Sequence, residues 1–347
     1  GLNADNGRPL GCCVQADLTA TYGLAKPAHY MHGGKHIGRL KIVDIGIPAA
    51  VVDNAALPGE SLDESTAKLL KLRKQEAHKG TFGHLLILAG GEGKTGAAIL
   101  SARGALHSGT GLVTLAVPHG LNVIFEPSLI EAMTVPLPSS KNTLSIDDFD
   151  PIIKLSRDKR AVVLGPGIGM EKQTEQLVLR LFAELELPMV IDADALNILA
   201  LHPDTLSSPA GPRIITPHPG EMSRLTGLSS RDVQKDRLTT ALGFTRGKKQ
   251  LITVLKGAGT VIAGADGKWA VNTTGNAGMA TGGMGDVLAG LIGSLLAQNY
   301  APWDAAGLGV YLHGLAADLL AETGEYGYLA SDVAAILPRA ITISRRA

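Results

Sequence analysis

The sequence has few of the residues that mark secreted, nucleic-acid-binding or membrane proteins. Its only cysteines are Cys12 and Cys13, which are adjacent and so make a poor disulfide pair; this favours a reducing, cytoplasmic compartment. The 32 basic and 32 acidic residues cancel and form no basic cluster, so no nucleic-acid partner is predicted. No apolar run approaches the ~20 residues of a membrane helix, so no membrane association is predicted. A small-molecule substrate is the remaining expectation.

Charged residues make up only 18% of the chain and aromatic residues 4%, whereas 45% of the residues are hydrophobic. Soluble domains average about 25% charged residues, so this chain must bury a large core, and broad disorder is excluded. A length of 347 residues fits one large or two medium domains. The chain begins at Gly1 without a signal-like segment. Because it does not begin with Met, we expect that the protein has further sequence upstream of Gly1.

Apolar strands alternate with helical stretches from His84 onward, which predicts an α/β fold with a mostly parallel central sheet covered by helices on both faces. Residues 251–271 contain closely spaced strands and predict an antiparallel edge. Three helices are predicted near 286–298, 303–322 and 331–341. Before the main domain, residues 51–60 are predicted to be a linker and residues 62–75 a helix. Residues 1–48 are too short for a core of their own.

Four glycine-rich or acidic loops follow predicted strands, at residues 91–96, 165–169, 192–197 and 216–221. The first matches the dinucleotide pattern G-x-G-x-x-G, but no acidic residue lies between Glu92 and Glu126 to hold a ribose, so a nicotinamide dehydrogenase is disfavoured. A P-loop is also rejected, because Leu88 occupies the position of its first glycine. Ligands of open α/β sheets bind at the carboxyl ends of strands, so these loops predict a site there.

The segment 274–286 is the most informative of the chain, because it contains five glycines and leads directly into an apolar helix. Free N–H groups and the helix dipole would then converge on one point, which is suited to a phosphate in transfer. Asp286 could be a helix cap or a base facing that anion. Asp192 and Asp194 could likewise hold Mg²⁺ or cap a helix, and residues 256–260 could bind a nucleotide or simply form a hairpin turn.

His29, His32 and His36 lie in a glycine-rich loop without nearby Cys or carboxylate ligands. A metal site is therefore disfavoured, and solvated loop histidines are the expectation.

Six motifs together resemble the ADP/ATP-dependent NAD(P)H-hydrate dehydratase family, whose fold is ribokinase-like; they lie at residues 93–97, 165–169, 192–197, 216–221, 256–260 and 275–290. The resemblance covers residues 76–347. Residues 1–50 resemble the C-terminal tail of the NAD(P)H-hydrate epimerase domain that precedes the dehydratase in bifunctional proteins, with 51–75 as linker and helix. The epimerase body would lie before Gly1, so epimerase activity is not expected.

The resemblance implies a role for individual residues of the chain. Residues expected to contact the hydrated nicotinamide nucleotide are Ala97, Gly167, His218 and Asp286. Residues expected to hold the adenine nucleotide are Lys256, Gly257, Ala258, Gly259, Thr260 and Gly285. Asp286 would accept the proton of the reacting C6 hydroxyl, and the backbone of Gly283 and Gly285 would stabilise the transferring phosphoryl group.

The implied reaction uses ADP or ATP with Mg²⁺ to phosphorylate the C6 hydroxyl of NAD(P)H hydrate, followed by loss of phosphate. The resemblance also predicts a homo-oligomer. The alternative is a ribokinase-like small-alcohol kinase, such as a hydroxyethylthiazole kinase, which would use the same anion site and base but release a stable phosphoester. A third interpretation is a non-catalytic nucleotide-binding module, against which the intact Asp286 and its glycine cluster argue.

Overall fold

The structure is a computed structural model that describes residues 1–322, 324 and 326–345, with only the backbone of His32 and Gly33. The last two residues of the predicted dehydratase domain lie outside it. The strands are β1 Leu18–Tyr22, β2 Arg39–Val43, β3 Gly59–Leu62, β4 His84–Leu88, β5 Leu112–Pro118, β6 Met133–Leu137, β7 Ala161–Leu164, β8 Met189–Ile191, β9 Arg213–Ile215, β10 Leu251–Leu255, β11 Val261–Gly264 and β12 Trp269–Asn272.

The α-helices follow the strands in the alternation that the sequence predicts. They are α1 Ala49–Asn54, α2 Thr95–His107, α3 Asn122–Ser128, α4 Phe149–Ser156, α5 Lys172–Glu184, α6 Asp194–Leu201, α7 Pro219–Thr226, α8 Ser230–Lys235, α9 Arg237–Thr245, α10 Met284–Ala297, α11 Pro302–Ala321 and α12 Ala330–Ser344. The three closing helices are thus confirmed to within a few residues. None of the helices in the described ranges is both long enough and apolar enough to cross a bilayer.

Ten strands form one sheet in the order β3-β12-β11-β10-β9-β8-β7-β4-β5-β6. All neighbours pair in parallel except β10 with β11 and β11 with β12. Only β11 therefore runs against the other strands of this sheet. The predicted α/β class and the antiparallel pairing of residues 251–271 are both confirmed.

The sheet is buried on both faces because its central strands are apolar at every position rather than at alternate ones. In β4, Leu85 and Ile87 face the core formed with α2, α10, α11 and α12, whereas Leu86 and Leu88 face the core formed with α4 to α9. All four side chains are fully buried. This two-sided cover leaves the carboxyl ends of the strands as the open edge where the glycine-rich loops meet.

The prediction for residues 51–75 is wrong in detail. No α-helix forms over 62–75; instead β3 pairs in parallel with β12, and a short 3₁₀ helix follows at Glu64–Leu69. Asp63 stabilises this tight turn by accepting a hydrogen bond from the Ser65 N–H at 2.9 Å. The strand forms because β12 would otherwise be an uncovered edge of the sheet. This pairing depends on a distant segment, so the local sequence of β3 does not indicate a strand. The domain boundaries at residues 50 and 75 stay a prediction.

The first 48 residues form a small lobe that packs against the main domain. Its strands β1 and β2 make a separate parallel pair. The Met31 side chain is only 4% exposed and belongs to the core beneath α4 to α9. The Asn6 side-chain amide donates to the Asp236 carboxylate at 3.4 Å. The lobe is too small for a hydrophobic core of its own, so it is stabilised by packing into the core of the main domain.

Helices α2 and α10 cross so closely that only glycine fits at the contact. A Cβ on Gly290 would overlap the Ser101 carbonyl oxygen, and one on Gly104 would overlap that of Val287. We expect Gly290→Ala to lower the free energy of unfolding by about 1–3 kcal/mol, because a packed core does not accept an added methyl group.

Gly243→Ala is the matched control for this substitution, since Gly243 is exposed in α9 and a Cβ there meets no atom within 4 Å. This second change should raise stability by about 0.5–1 kcal/mol through helix propensity. Urea unfolding of both variants measures the difference, and equal stabilities would contradict the proposed close contact.

Candidate active site

The predicted site residues meet at the carboxyl edge of the sheet. The loops after β4, β7, β8, β9 and β10 converge there on the first turn of α10. Two cavities open on this turn, one on each side. Apart from His218, the predicted substrate and nucleotide residues divide between them, although the sequence gives no sign of such a division.

The smaller cavity has a volume of about 450 Å³. Its walls come from the loop after β4, the loop after β7, the Asp194 region and the start of α10. Of the predicted residues it contains Ala97, Gly167, Gly283 and Asp286. Across this cavity the Lys94 ammonium group lies 2.8 Å from the Asp194 carboxylate, which also accepts a hydrogen bond from the Gly169 N–H at 2.9 Å.

The larger cavity has a volume of about 740 Å³. It is lined by all five predicted residues of the 256–260 loop, by Gly285, by residues of the 272–280 segment and by α11. The 256–260 loop is the turn of the β10–β11 hairpin, so the hairpin alternative describes its backbone correctly. Arg237 holds this turn by donating to the carbonyl oxygens of Ala258 and Gly259.

Helix α10 begins between the two cavities. Its N-cap is Gly283, which has a left-handed φ of 89° and no side chain to cap the helix. The free N–H groups of the first turn are therefore available to an anion. Asp286 is the third residue of the helix and therefore not its cap, whereas its role as a base stays a prediction. At Gly285 a Cβ would lie 3.0 Å from the Lys256 Nζ atom, so the absence of a side chain there lets this cation lie close to the helix end.

Asp192 and Asp194 are not helix caps either. The N-cap of α6 is Ala193, and the two carboxylates make different contacts. Asp192 binds the Lys256 Nζ atom at 2.7 Å, and Glu221 lies 3.9 Å from the same nitrogen. Burial lowers the pKa of Lys256, but Asp192, Glu221 and Asp286 together raise it above its usual value. Lys256 is therefore a permanent cation at the boundary of the two cavities.

Two carboxyl groups here are hard to ionise. Burial, reinforced by the negative charge of Asp192 and opposed by Lys256, raises the pKa of Asp286 to about 7. Burial, opposed by Lys256 and reinforced by Asp192, likewise raises the pKa of Glu221 to about 7. A carboxylate with a pKa near neutrality is matched to general acid–base chemistry at physiological pH. Only Asp286 lines a described cavity.

His218 lies outside both cavities. Its Nδ1 atom accepts hydrogen bonds from the N–H groups of Gly220 and Glu221, so it caps α7, while Nε2 lies 3.4 Å from Glu221 Oε1. Burial and the nearby Lys256 lower the pKa of the ring, which favours the neutral form. The predicted contact of His218 with substrate stays a prediction.

His29 and His36 of the amino-terminal loop are partly buried, rather than fully solvated as the sequence predicts. His29 lines the larger cavity, and His36 Nδ1 is buried with no hydrogen-bond partner in the described part of the chain. The side chain of His32 lies outside the described residues. The sequence also gave no signal for His313, a buried residue of α11 beside the same cavity, because its contact depends on how α11 packs.

Known proteins are similar to this chain in sequence and in fold. The family described as NAD(P)H-hydrate dehydratase matches residues 85–339. The chain belongs to this family. The bifunctional NAD(P)H-hydrate repair enzyme Nnr of Moorella thermoacetica is 42% identical over 97% of the chain, which spans 64% of that relative's length.

Solved structures share the fold of this chain. The ADP/ATP-dependent NAD(P)H-hydrate dehydratase of Bacillus subtilis, co-crystallized with ATP/Mg²⁺, has a TM-score of 0.72 and 32% identity, covering 83% of this chain and all of its own. A ribokinase-like superfamily protein of Enterococcus faecalis has a TM-score of 0.72 and 26% identity, covering 84% of this chain and 98% of its own. The expected ribokinase-like fold is thereby confirmed.

The ion pair at the centre of this dehydratase-family site has a measurable stability consequence. Lys256→Met leaves the buried Asp192 carboxylate without its cation, and we expect a loss of about 3 kcal/mol in the free energy of unfolding at neutral pH. The double variant Lys256→Met/Asp192→Asn removes the unpaired charge and should recover about half of this loss. Chemical denaturation measures all three proteins. A single variant as stable as the unchanged chain would show that the carboxylate does not need the cation.

Proposed function

We propose that the chain catalyses the ADP- or ATP-dependent dehydration of (6S)-NAD(P)H hydrate to NAD(P)H, a metabolite-repair reaction. The observation that carries the proposal is the position of Asp286 and Gly285 at one helix terminus, with a cavity on each side. The smaller cavity takes the hydrated nicotinamide, and the larger takes the adenine nucleotide. The acceptor hydroxyl and the terminal phosphoryl group then meet at the first turn of α10.

Asp286 accepts the proton of the C6 hydroxyl as the hydroxyl oxygen attacks the terminal phosphorus. The new C6–O–P linkage forms while the bond between the terminal phosphorus and the bridging oxygen of the nucleotide breaks. The nucleotide product is AMP when ADP is the donor and ADP when ATP is the donor. Lys256 and the N–H groups of Gly283 and Gly285 stabilise the charge that develops on the phosphoryl oxygens. They are fixed before the reaction, because Lys256 is tied to Asp192 at 2.7 Å and the glycines belong to the end of a buried helix.

The phosphorylated hydrate then loses phosphate without further help from a strong acid. Its leaving group is on a carbon bonded to the ring nitrogen, so the nitrogen lone pair expels phosphate as the C6–O bond breaks. Loss of a proton from C5 restores the dihydronicotinamide ring. The enzyme is thus a kinase toward its substrate and a hydro-lyase in its net reaction.

The carboxylates at this edge suit a magnesium ion that is held mainly by the nucleotide. Among the residues that the structure describes, no group of three His, Cys, Asp or Glu side chains could hold a metal alone. Mg²⁺ bound through one or two carboxylates, phosphates and water needs no such group. Asp192 and Asp194, the two carboxylates that the sequence proposes, would contribute, and the ion would neutralise phosphate charge. Action in the cytoplasm and self-association remain predictions.

The decisive experiment mixes the purified protein with hydrated NADH or NADPH, Mg²⁺ and either ADP or ATP. We expect nucleotide-dependent recovery of the reduced-nicotinamide absorbance with an equal release of phosphate, because the phosphoester collapses. The same assay names the phosphoryl donor. A small-alcohol kinase would give no recovery and would instead accumulate a phosphoester of its alcohol.

Asp286→Asn tests the proton acceptor. Removing a general base costs about 10²–10⁴-fold in rate, so we expect kcat to fall by at least about 10²-fold, with nucleotide affinity within about threefold. Turnover assays and calorimetric titration with ADP measure the two effects. Asp150→Asn, an exposed carboxylate in the first turn of α4, is the control and should change neither. Unchanged turnover in Asp286→Asn would exclude the proposed role.

The raised pKa of Asp286 predicts a pH dependence. Below about pH 7 the carboxyl group is protonated and cannot accept a proton, so kcat/KM should fall toward tenfold per pH unit on the acid side and level off above neutrality. Glu221 titrates in the same range, so Glu221→Gln separates the two groups. The acid limb should persist in this variant if Asp286 is the base, and its disappearance would assign the limb to Glu221.

A further inference from the structure

The larger cavity has a wall that does not come from the dehydratase-family region of the chain. His29, Tyr30 and Gly34 line it together with the 256–260 turn. The family match begins only at residue 85, so these three residues lie far outside it. The amino-terminal lobe, for which the sequence predicts no part in the dehydration, therefore borders the proposed nucleotide site.

The contact between the lobe and the nucleotide turn is close and made by backbone. The Tyr30 carbonyl oxygen lies 2.5 Å from the point that a Cβ on Gly259 would occupy. The two segments of the chain therefore fit together only with glycine at position 259. Next to Tyr30, the buried Met31 side chain anchors the lobe in the core. The lobe is thus held against the turn by the backbone contact at Tyr30 and by the packing of Met31.

His29 presents a hydrogen-bond donor at this wall. Its Nδ1 atom accepts a hydrogen bond from the Lys26 N–H at 3.0 Å, so the neutral ring carries its proton on Nε2. Burial, together with the charge of Lys26, lowers the pKa of the ring, which keeps it neutral at physiological pH. Lys26 is itself fixed by bonds from its Nζ atom to the Thr21 hydroxyl and to two carbonyl oxygens. The orientation of His29 is therefore set by the lobe.

We propose that His29, Tyr30 and Gly34 form part of the adenine-nucleotide site, with His29 Nε2 donating a hydrogen bond to the bound nucleoside diphosphate or triphosphate. The lobe also fixes the position of the 256–260 turn through the contact of Tyr30 with Gly259. This inference rests on the proposed function, since it takes the larger cavity to be the nucleotide site. The lobe then serves nucleotide binding in the chain as it stands.

The test measures ADP binding by calorimetry with the full chain, in the absence of the hydrate. His29→Ala should weaken binding about tenfold, as expected for the loss of one hydrogen bond, and His29→Gln, which keeps an N–H donor, should lose less. Tyr22→Ala is the control within the lobe, because Tyr22 is 63% exposed and does not line the cavity. An unchanged dissociation constant in His29→Ala would overturn the role of the donor.

Met31→Ala tests whether the packing of the lobe matters. Met31 does not line the cavity, so a weaker affinity for ADP in this variant would have to come from a shifted lobe. We expect a loss of about threefold to tenfold, whereas Met133→Ala, on the exposed edge strand β6, should have no effect. A lower melting temperature in Met31→Ala with unchanged ADP affinity would overturn the positioning role.

The binding assay also separates this inference from the proposed function. If the unchanged chain binds ADP but does not restore the reduced-nicotinamide absorbance, the proposed dehydration is wrong, while the effects of His29 and Met31 on binding still decide the inference. If it restores the absorbance and the variants bind ADP normally, the function stands and the inference fails.

Discussion

Lys256 is the cation on which the arrangement of the site depends. It lies between Asp192 and Glu221, and its field also reaches Asp286. Three carboxyl groups near one another would repel if each were ionised without a counter-charge. Lys256 pairs with Asp192 at the end of β8, and burial together with the charge of Asp192 raises the pKa of Asp286 to about 7. One side chain thereby holds together the ends of β8, β9, β10 and the start of α10.

The glycines of the site serve this same constraint. Gly285 is the point of closest approach, because a side chain there would meet both the Lys256 Nζ atom and the Asp192 carboxylate. Gly283 caps α10 without a side chain, which leaves the first N–H groups to an external anion. Glycines without side chains therefore surround the Lys256 ammonium group, and the space that they leave forms the two cavities.

The sequence predicts much of this because parallel strands bring their loops to one edge. The loops after β4, β7, β8 and β9, and the glycine segment before α10, each carry a local signature, so their meeting follows from the alternation of strands and helices. What the sequence could not predict depends on contacts between distant segments. The strand β3 forms because β12 needs a partner, and His29 reaches the larger cavity because Met31 anchors its lobe. The raised pKa of Asp286 likewise depends on burial, which no sequence motif reveals.

Ala193 separates two aspartates that have different partners. Its φ of 53° lies in a region that alanine avoids, and this turn sends Asp192 toward Lys256 while Asp194 meets Lys94 and Gly169. In a continuous strand, the side chains of residues 192 and 194 would project on the same side. The strained backbone at Ala193 therefore lets two neighbouring carboxylates bind different cations. A more relaxed loop here would be more stable but would not separate the two carboxylates in this way, so local stability is given up for the arrangement of the site.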